Sequence, residues 1–170
     1  MAAESASESI VELDGLLSGD MILAQYQLFD PDGVLMEIAR RTDYAIRMLM
    51  ALATAEECPV SVRALAEAQG VPYAFARAVQ RDLVAAGLVT TTRGAAGGLC
   101  LGRPAEDVTL LDIVTATQGV PSVAVCAKDP EWCGRAGSCT VHAVWRGADE
   151  MLRLYLGGKT LGGLVSDRRK

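Results

Sequence analysis

Residues 61–89, SVRALAEAQGVPYAFARAVQRDLVAAGLV, contain the clearest structural pattern in this sequence. Ser61 can accept a hydrogen bond from the first turn of a helix, while Gly70 ends that helix and Pro72 suits the start of another. The second helix has an apolar stripe with the spacing of a buried face, formed by Ala76, Val79 and Leu83. Two short helices joined by a tight glycine-containing turn are typical of a helix-turn-helix, whose second helix enters the major groove of DNA.

The opposite side of the second helix and the residues after it suit contact with DNA. Residues 88–103, LVTTTRGAAGGLCLGR, are two β-prone runs around a turn and predict a hairpin with the form of a wing. Arg93 lies near its tip, where it can reach a phosphate or the minor groove. The candidate DNA-binding residues are Tyr73, Ala74, Arg77, Arg81 and Arg93. The alternative is that the three arginines are ordinary solvated surface charges.

Helical periodicity continues on both sides of this unit. Before it, a helix that ends near Glu56 is predicted by the apolar residues Tyr44, Met48, Leu49 and Leu52. After it, residues 104–120 predict a loop and a short core helix, with four residues inward: Leu110, Leu111, Val114 and Ala116. The predicted fold class is mainly α with a small β wing: a winged helix-turn-helix DNA-binding domain followed by a long C-terminal helix.

That long helix runs from Val141 to Gly157 and Gly158 and has a continuous apolar face. The face consists of Val141, Val144, Trp145, Ala148, Met151, Leu152 and Tyr155. A face this apolar, late in a small domain, indicates a surface that binds a partner helix. Most soluble homo-oligomers are two-fold dimers. The sequence therefore predicts a homodimer through this helix. The alternative is that the face packs only on its own domain.

Four metal-ligand side chains lie close together between the predicted core helix and the first turn of the long helix: Cys126, Cys133, Cys139 and His142, the only histidine in the chain. Thiolates are the usual ligands of zinc and of iron–sulfur clusters. The intervening residues are rich in Pro, Gly, Asp and Ser, so we expect a loop that can wrap around a metal centre. The two remaining cysteines, Cys58 and Cys100, are expected to be small core or edge residues without chemistry.

Charge is distributed unevenly along the chain. Residues 1–35 contain seven of the 21 acidic residues and none of the 16 basic ones, so the remainder has 14 acids, 16 bases and a net charge of +2. We expect residues 1–35 to be an acidic extension; the alternative is that translation starts at Met36. The other predicted regions are the DNA-binding domain at 36–104, the cysteine and dimerisation region at 105–165, and a basic tail at 166–170. No secretory signal or membrane-spanning run is visible, which indicates a cytoplasmic protein without a membrane partner.

From Met36 to Val165 the chain resembles the Rrf2 family of winged-helix transcription regulators, many of which carry an iron–sulfur cluster. The matching stretches are MEIARRTDYAIRMLMALA, the helix-turn-helix with AAGLV, the wing TRGAAGGLCLGR, LLDIVTATQG, the cysteine segment (residues 120–142) and KTLGGLV. The resemblance implies a homodimer on double-stranded operator DNA, with each cysteine segment near the DNA-binding domain of the partner. One departure is the spacing of the first two cysteines, which is seven residues here and usually six in the two branches considered next.

The resemblance offers two candidates for the fourth cluster ligand. Asp43 matches the position where the nitric-oxide-sensing NsrR branch uses an aspartate of the partner subunit to complete a 4Fe-4S cluster. His142 matches the histidine by which the IscR branch, which regulates cluster biogenesis, holds a 2Fe-2S cluster. We favour Asp43 and a 4Fe-4S cluster, with His142 and a 2Fe-2S cluster as the alternative.

These observations lead to a hypothesis of a repressor whose DNA affinity depends on an iron–sulfur cluster that senses nitric oxide, redox or iron status. The competing interpretation is a Cys3His zinc module that binds nucleic acid, since the ligand spacing is close to that of such fingers. An enzyme is not expected, because the sequence shows neither a nucleotide-binding glycine motif nor paired acid/base carboxylates.

Overall fold

In a computed structural model that describes residues 38–94 and 96–167, three helices form the first part of the fold: α1 Arg40–Thr54, α2 Val62–Ala68 and α3 Tyr73–Ala85. Ser61 caps α2 by accepting a hydrogen bond from the Ala64 N–H at 3.1 Å. Gly70 follows α2 with a φ of 61°, a left-handed conformation that favours glycine. The buried residues of α3 are Ala76, Val79 and Leu83. The predicted helix-turn-helix is therefore confirmed.

The wing is a two-stranded antiparallel hairpin of β1 Val89–Thr92 and β2 Gly98–Leu101. A short segment before α2 lies on the other edge of β2: the Val60 N–H donates to the Leu99 carbonyl at 2.9 Å, and the Leu99 N–H donates to the Val60 carbonyl at 2.8 Å. A Cβ atom on Gly98 would lie 2.3 Å from the Val60 carbonyl oxygen. Glycine is therefore required where this segment crosses the wing.

The C-terminal half is helical, with α4 Leu110–Gln118, a short α5 Val125–Lys128, the long α6 Thr140–Gly157 and α7 Leu161–Asp167. The core lies where α1 packs against α3, α4 and α7. Its largest fully buried side chains include Met48, Leu49, Leu83 and Leu161. Since α4 and α7 pack directly on α1, both helices share one core with the helix-turn-helix.

Three details differ from the sequence predictions. In α4 the buried residues are Ile113, Val114 and Thr117, whereas the expected Leu110, Leu111 and Ala116 are half-buried. The cysteine segment is not all loop, because α5 contains Cys126 and a 3-10 turn at Pro130–Trp132 precedes Cys133.

The third difference concerns Cys58 and Cys100, which are joined in a disulfide. The prediction that they lack chemistry was wrong, because no local pattern indicates that the segment before α2 runs beside β2. The acidic extension at 1–35 and the last three residues of the basic tail lie outside the described residues, and the region boundaries stay predictions. Of the helices in the described part of the chain, none is long and apolar enough to cross a membrane.

Candidate nucleic-acid interface and cysteine segment

One face of α3 is open to solvent along its length. Tyr73 is 45% exposed at its first turn, and Ala74, Arg77 and Arg81 are exposed on the following turns. The Arg77 guanidinium donates to the Gln80 side-chain oxygen at 2.8 Å, which holds that arginine along the helix. The structure thus places four of the predicted DNA-binding residues on one helix surface.

A groove of about 410 Å³ separates α3 from the wing. Arg93, the fifth predicted residue, lies on the wing side of the groove, and Arg77 lies on the α3 side. Arg63 of α2 lines it too, with its guanidinium carbon 4.7 Å from the centre of the Tyr73 ring. Sequence analysis missed Arg63 because helical spacing alone did not show that the start of α2 faces the groove. The result is a basic groove with an aromatic ring at its edge.

The position of α3 is fixed from behind by α1. Arg41 of α1 forms an ion pair with Asp82 of α3. The Tyr44 and Phe75 rings meet edge to face, with their centres 5.9 Å apart. Any shift of α1 would therefore be transmitted to the exposed face of α3.

The three cysteines after α4 lie on consecutive short elements. Cys126 lies in α5, Cys133 follows the 3-10 turn, and Cys139 immediately precedes α6. All three are half-buried free thiols. Within residues 38–94 and 96–167, no three His, Cys, Asp or Glu side chains are grouped closely enough to hold a metal ion. The ligand types suit a metal–thiolate centre, but the sulfur atoms of one chain do not converge in this arrangement.

The two candidates for a fourth ligand have different surroundings. The Asp43 carboxylate pairs with Arg47 across one helical turn at 2.8 Å, and both side chains are more than one third exposed. The Nδ1 atom of His142 is buried and has no hydrogen-bond partner among the described residues. A buried nitrogen without a partner is uncommon, and metal ligation would satisfy it.

Asp149 anchors the start of the cysteine segment to α6. Its carboxylate accepts a hydrogen bond from the Ser122 hydroxyl at 2.6 Å and another from the Val123 N–H at 2.7 Å. Asp149 is only 1% exposed, and the Arg153 guanidinium lies 3.6 Å from its carboxylate. Sequence analysis assigned no role to Asp149, because its position beside Glu150 in a predicted helix is that of an ordinary surface acid.

A second polar contact joins the end of α4 to the start of α1. The Thr42 hydroxyl lies 2.7 Å from the Thr117 hydroxyl and 2.7 Å from the Gln118 side-chain oxygen, which also accepts from the Ala39 N–H at 2.9 Å. Thr42 is fully buried. The segment with the cysteines is thus tied to α1 just before it begins, and to α6 through Asp149.

The family of the chain follows from comparison with known proteins. Residues 38–167 match the Rrf2 family, described as iron-dependent transcriptional regulators. The chain belongs to the Rrf2 family. The Rrf2 family consists of DNA-binding transcriptional regulators and not of enzymes.

Individual relatives support this assignment. Protein aau3 of Rhizobium meliloti (strain 1021) is 37% identical over 78% of this chain and 87% of its own length. The HTH-type transcriptional regulator IscR of Xenorhabdus nematophila is 28% identical over 78% of this chain and 81% of its own. The solved structure of T. potens IscR is 25% identical, covers 78% of this chain and 88% of its own, and superposes with a TM-score of 0.61.

In this Rrf2 chain, α6 exposes a row of large apolar side chains. The row consists of Val141, Val144, Trp145, Met151, Leu154 and Tyr155, each at least 40% exposed. Their spacing of three and four residues places them along one side of the helix. An exposed apolar row of this size commonly marks an interaction surface.

Proposed function

We propose that this Rrf2 regulator is a homodimeric repressor whose DNA affinity is controlled by an iron–sulfur cluster held by Cys126, Cys133 and Cys139. The observation that carries the proposal is the presence of these three free thiols on one short segment between α4 and α6. The protein would act in the cytoplasm, where the sensed signal would be nitric oxide, redox state or iron supply.

The chemistry of the donor set fits such a cluster. Three thiols can become thiolate ligands, and the segment consists of short elements that can rearrange as the ligands converge. For the fourth position we propose Asp43 of the partner subunit and a 4Fe-4S cluster, with His142 and a 2Fe-2S cluster as the alternative. The unpartnered Nδ1 of His142 supports the alternative, whereas Asp43 would first have to leave Arg47.

When bound, the cluster would supply a group that reacts with nitric oxide or oxygen and is lost when iron is scarce. The contacts of the protein would couple a movement of the cysteine segment to a movement of α3. Asp149 holds the segment to α6, and Thr42 ties the preceding residues to α1. Because α1 supports α3 through Arg41 and Asp82, a displaced segment would alter how α3 meets DNA. The two positions must differ in DNA affinity for this coupling to act as a switch.

The exposed row on α6 supports the proposed homodimer. Pairing of two such rows would remove Met151, Leu154 and Tyr155 from water. Sedimentation equilibrium tests this step with Leu154→Arg and, as the matched control, Arg146→Leu, which changes an exposed residue of the same helix outside the row. We expect a dimer for the wild type and the control and a monomer for Leu154→Arg. A wild-type monomer at micromolar concentration would contradict the dimer.

The DNA contacts are tested by the salt dependence of binding to a duplex selected from random-sequence DNA. If Arg93 contacts a phosphate, Arg93→Ala lowers the slope of log affinity against log salt concentration by about one, without changing the preferred sequence. If Arg77 contacts a base edge, Arg77→Ala relaxes the preference at one position instead. Lys159→Ala removes the same charge at the end of α6, outside the groove, and should leave both properties unchanged.

The cofactor is tested by anaerobic reconstitution, absorption spectroscopy and analysis of iron and sulfide. We expect about four irons and four sulfides per chain if Asp43 is the fourth ligand, with altered spectra in Asp43→Ala and unaltered spectra in His142→Ala. The reverse pattern with two irons favours His142. Stoichiometric zinc without visible absorption would establish the competing Cys3His module, and colourless protein without metal would refute any metal centre.

A further inference from the structure

We propose that Cys58 and Cys100 form a reversible dithiol–disulfide site in the DNA-binding unit, separate from the three-cysteine segment. Cys58 is exposed in the connection between α1 and α2, and Cys100 is half-buried in β2. The structure joins them in a disulfide, with a Cα–Cα distance of 5.6 Å. This distance lies within the roughly 4.4 to 6.8 Å that disulfides span.

The reduced thiols would stay adjacent because the backbone holds their segments together. Two hydrogen bonds between Val60 and Leu99 join the connection to β2 at positions next to the cysteines. Gly98 allows this close approach, since any side chain there would collide with the Val60 carbonyl. The pair can therefore open and close without a large movement of the backbone.

The bond encloses the parts of the protein that read DNA. Its partners are 42 residues apart, and α2, α3 and β1 all lie between them. A closed bond would restrain the wing relative to α2 and α3. Because restraint before binding reduces the ordering that binding requires, the oxidised form should bind DNA more tightly.

The surroundings of the pair indicate the class of oxidant. Cys58 and Cys100 line an open cavity of about 390 Å³, together with the acidic residues Glu57 and Glu106. Two nearby carboxylates favour a cationic or neutral low-molecular-weight disulfide over an anionic one. The exposed Cys58 would be the first to react, and the less accessible Cys100 would complete the exchange.

The reaction is a thiol–disulfide exchange in two steps. The Cys58 thiolate attacks one sulfur of the small disulfide, forming a mixed disulfide and releasing one small thiolate. The Cys100 thiolate then attacks the Cys58 sulfur, closing the protein bond and releasing the second thiolate. Two protein thiols thus lose two electrons and two protons, and one small disulfide becomes two thiols.

Peptide mapping of the full chain tests the site. The reduced protein is treated with cystamine, a cationic disulfide, blocked with N-ethylmaleimide and digested with trypsin and Asp-N, which separates Cys100 from Cys126. We expect peptides 48–63 and 94–106 to be recovered as one linked species that is two hydrogens lighter than their sum, and to separate after dithiothreitol. Blocked thiols at both positions, stable mixed disulfides, or links to Cys126, Cys133 or Cys139 would overturn the proposal.

The functional consequence is tested by fluorescence anisotropy with the selected DNA duplex. Oxidised wild type should bind about three to ten times more tightly than reduced wild type. Cys58→Ser and Cys100→Ser keep the other three cysteines, so any effect of oxidation on the cysteine segment persists in both variants. Before treatment these variants should bind like reduced wild type, and cystamine should tighten their binding about three to ten times less than it tightens that of wild type. Equal affinities of the two wild-type forms, or an unchanged oxidation effect in the variants, would refute this consequence without bearing on the proposed cluster.

Discussion

Replacement of Asp149 by alanine should release the start of the cysteine segment from α6. The buried carboxylate accepts two short hydrogen bonds, from Ser122 and Val123. Hydrogen bonds to a charged acceptor contribute roughly 1.5 to 3 kcal/mol each, and desolvation of the carboxylate offsets part of their sum. We therefore expect Asp149→Ala to lower the free energy of local opening at Ser122 and Val123 by about 2 to 4 kcal/mol.

Hydrogen exchange followed by NMR measures this loss at the Val123 amide. Since a factor of ten corresponds to about 1.4 kcal/mol, exchange should accelerate by roughly 30-fold to 1000-fold. Asp149→Asn keeps one acceptor oxygen and should give an intermediate rate. Glu150→Ala is the matched control, because this neighbouring carboxylate is exposed and only approaches Arg153 at 3.5 Å. The reasoning would be refuted if Asp149→Ala and Glu150→Ala gave the same Val123 exchange rate.

Two further substitutions test the wing and the contact between α4 and α1. Gly98→Ala should lower the free energy of unfolding by about 1 to 3 kcal/mol in urea denaturation, because its Cβ would collide with the Val60 carbonyl. Gly134→Ala is the control and should be nearly neutral, since a Cβ there would have no atom within 4 Å. Equal effects of the two substitutions would contradict the close packing at Gly98. Thr42→Val keeps the shape of the side chain but removes the hydroxyl's buried contact with Thr117 and Gln118 and should cost about 1 to 2 kcal/mol. A midpoint unchanged from wild type would show that this contact contributes nothing.

Local sequence signals predicted the elements of the DNA-binding unit correctly. Ser61, Gly70 and Pro72 act through their own backbone neighbourhood, so their positions in the sequence were enough to place both ends of α2 and the start of α3. The buried residues of α3, Ala76, Val79 and Leu83, were predicted correctly because their three- and four-residue spacing is itself a local pattern. The two strands of the wing were recognisable because β-prone residues flank a glycine-rich turn.

Contacts between segments that are distant in the chain could not be predicted from the sequence. The approach of Cys58 to Cys100, and of Asp149 to Val123, depends on how separate elements pack, and no local pattern encodes it. In α4, the polar Thr117 is buried because Thr42 of α1 offers it a partner. Hydrophobic periodicity correctly placed Val114 inside but missed Thr117, because it assigns polar residues to the surface.

The central claim is that the cysteine segment controls DNA binding through an iron–sulfur cluster. Its most direct test is the affinity of anaerobically reconstituted protein for the selected DNA duplex, measured before and after iron is removed with a chelator. We expect a change of at least about tenfold in affinity, which corresponds to about 1.4 kcal/mol of coupling free energy, and no such change in Cys133→Ala. Equal affinity in both states of a protein shown to have carried the cluster would contradict it.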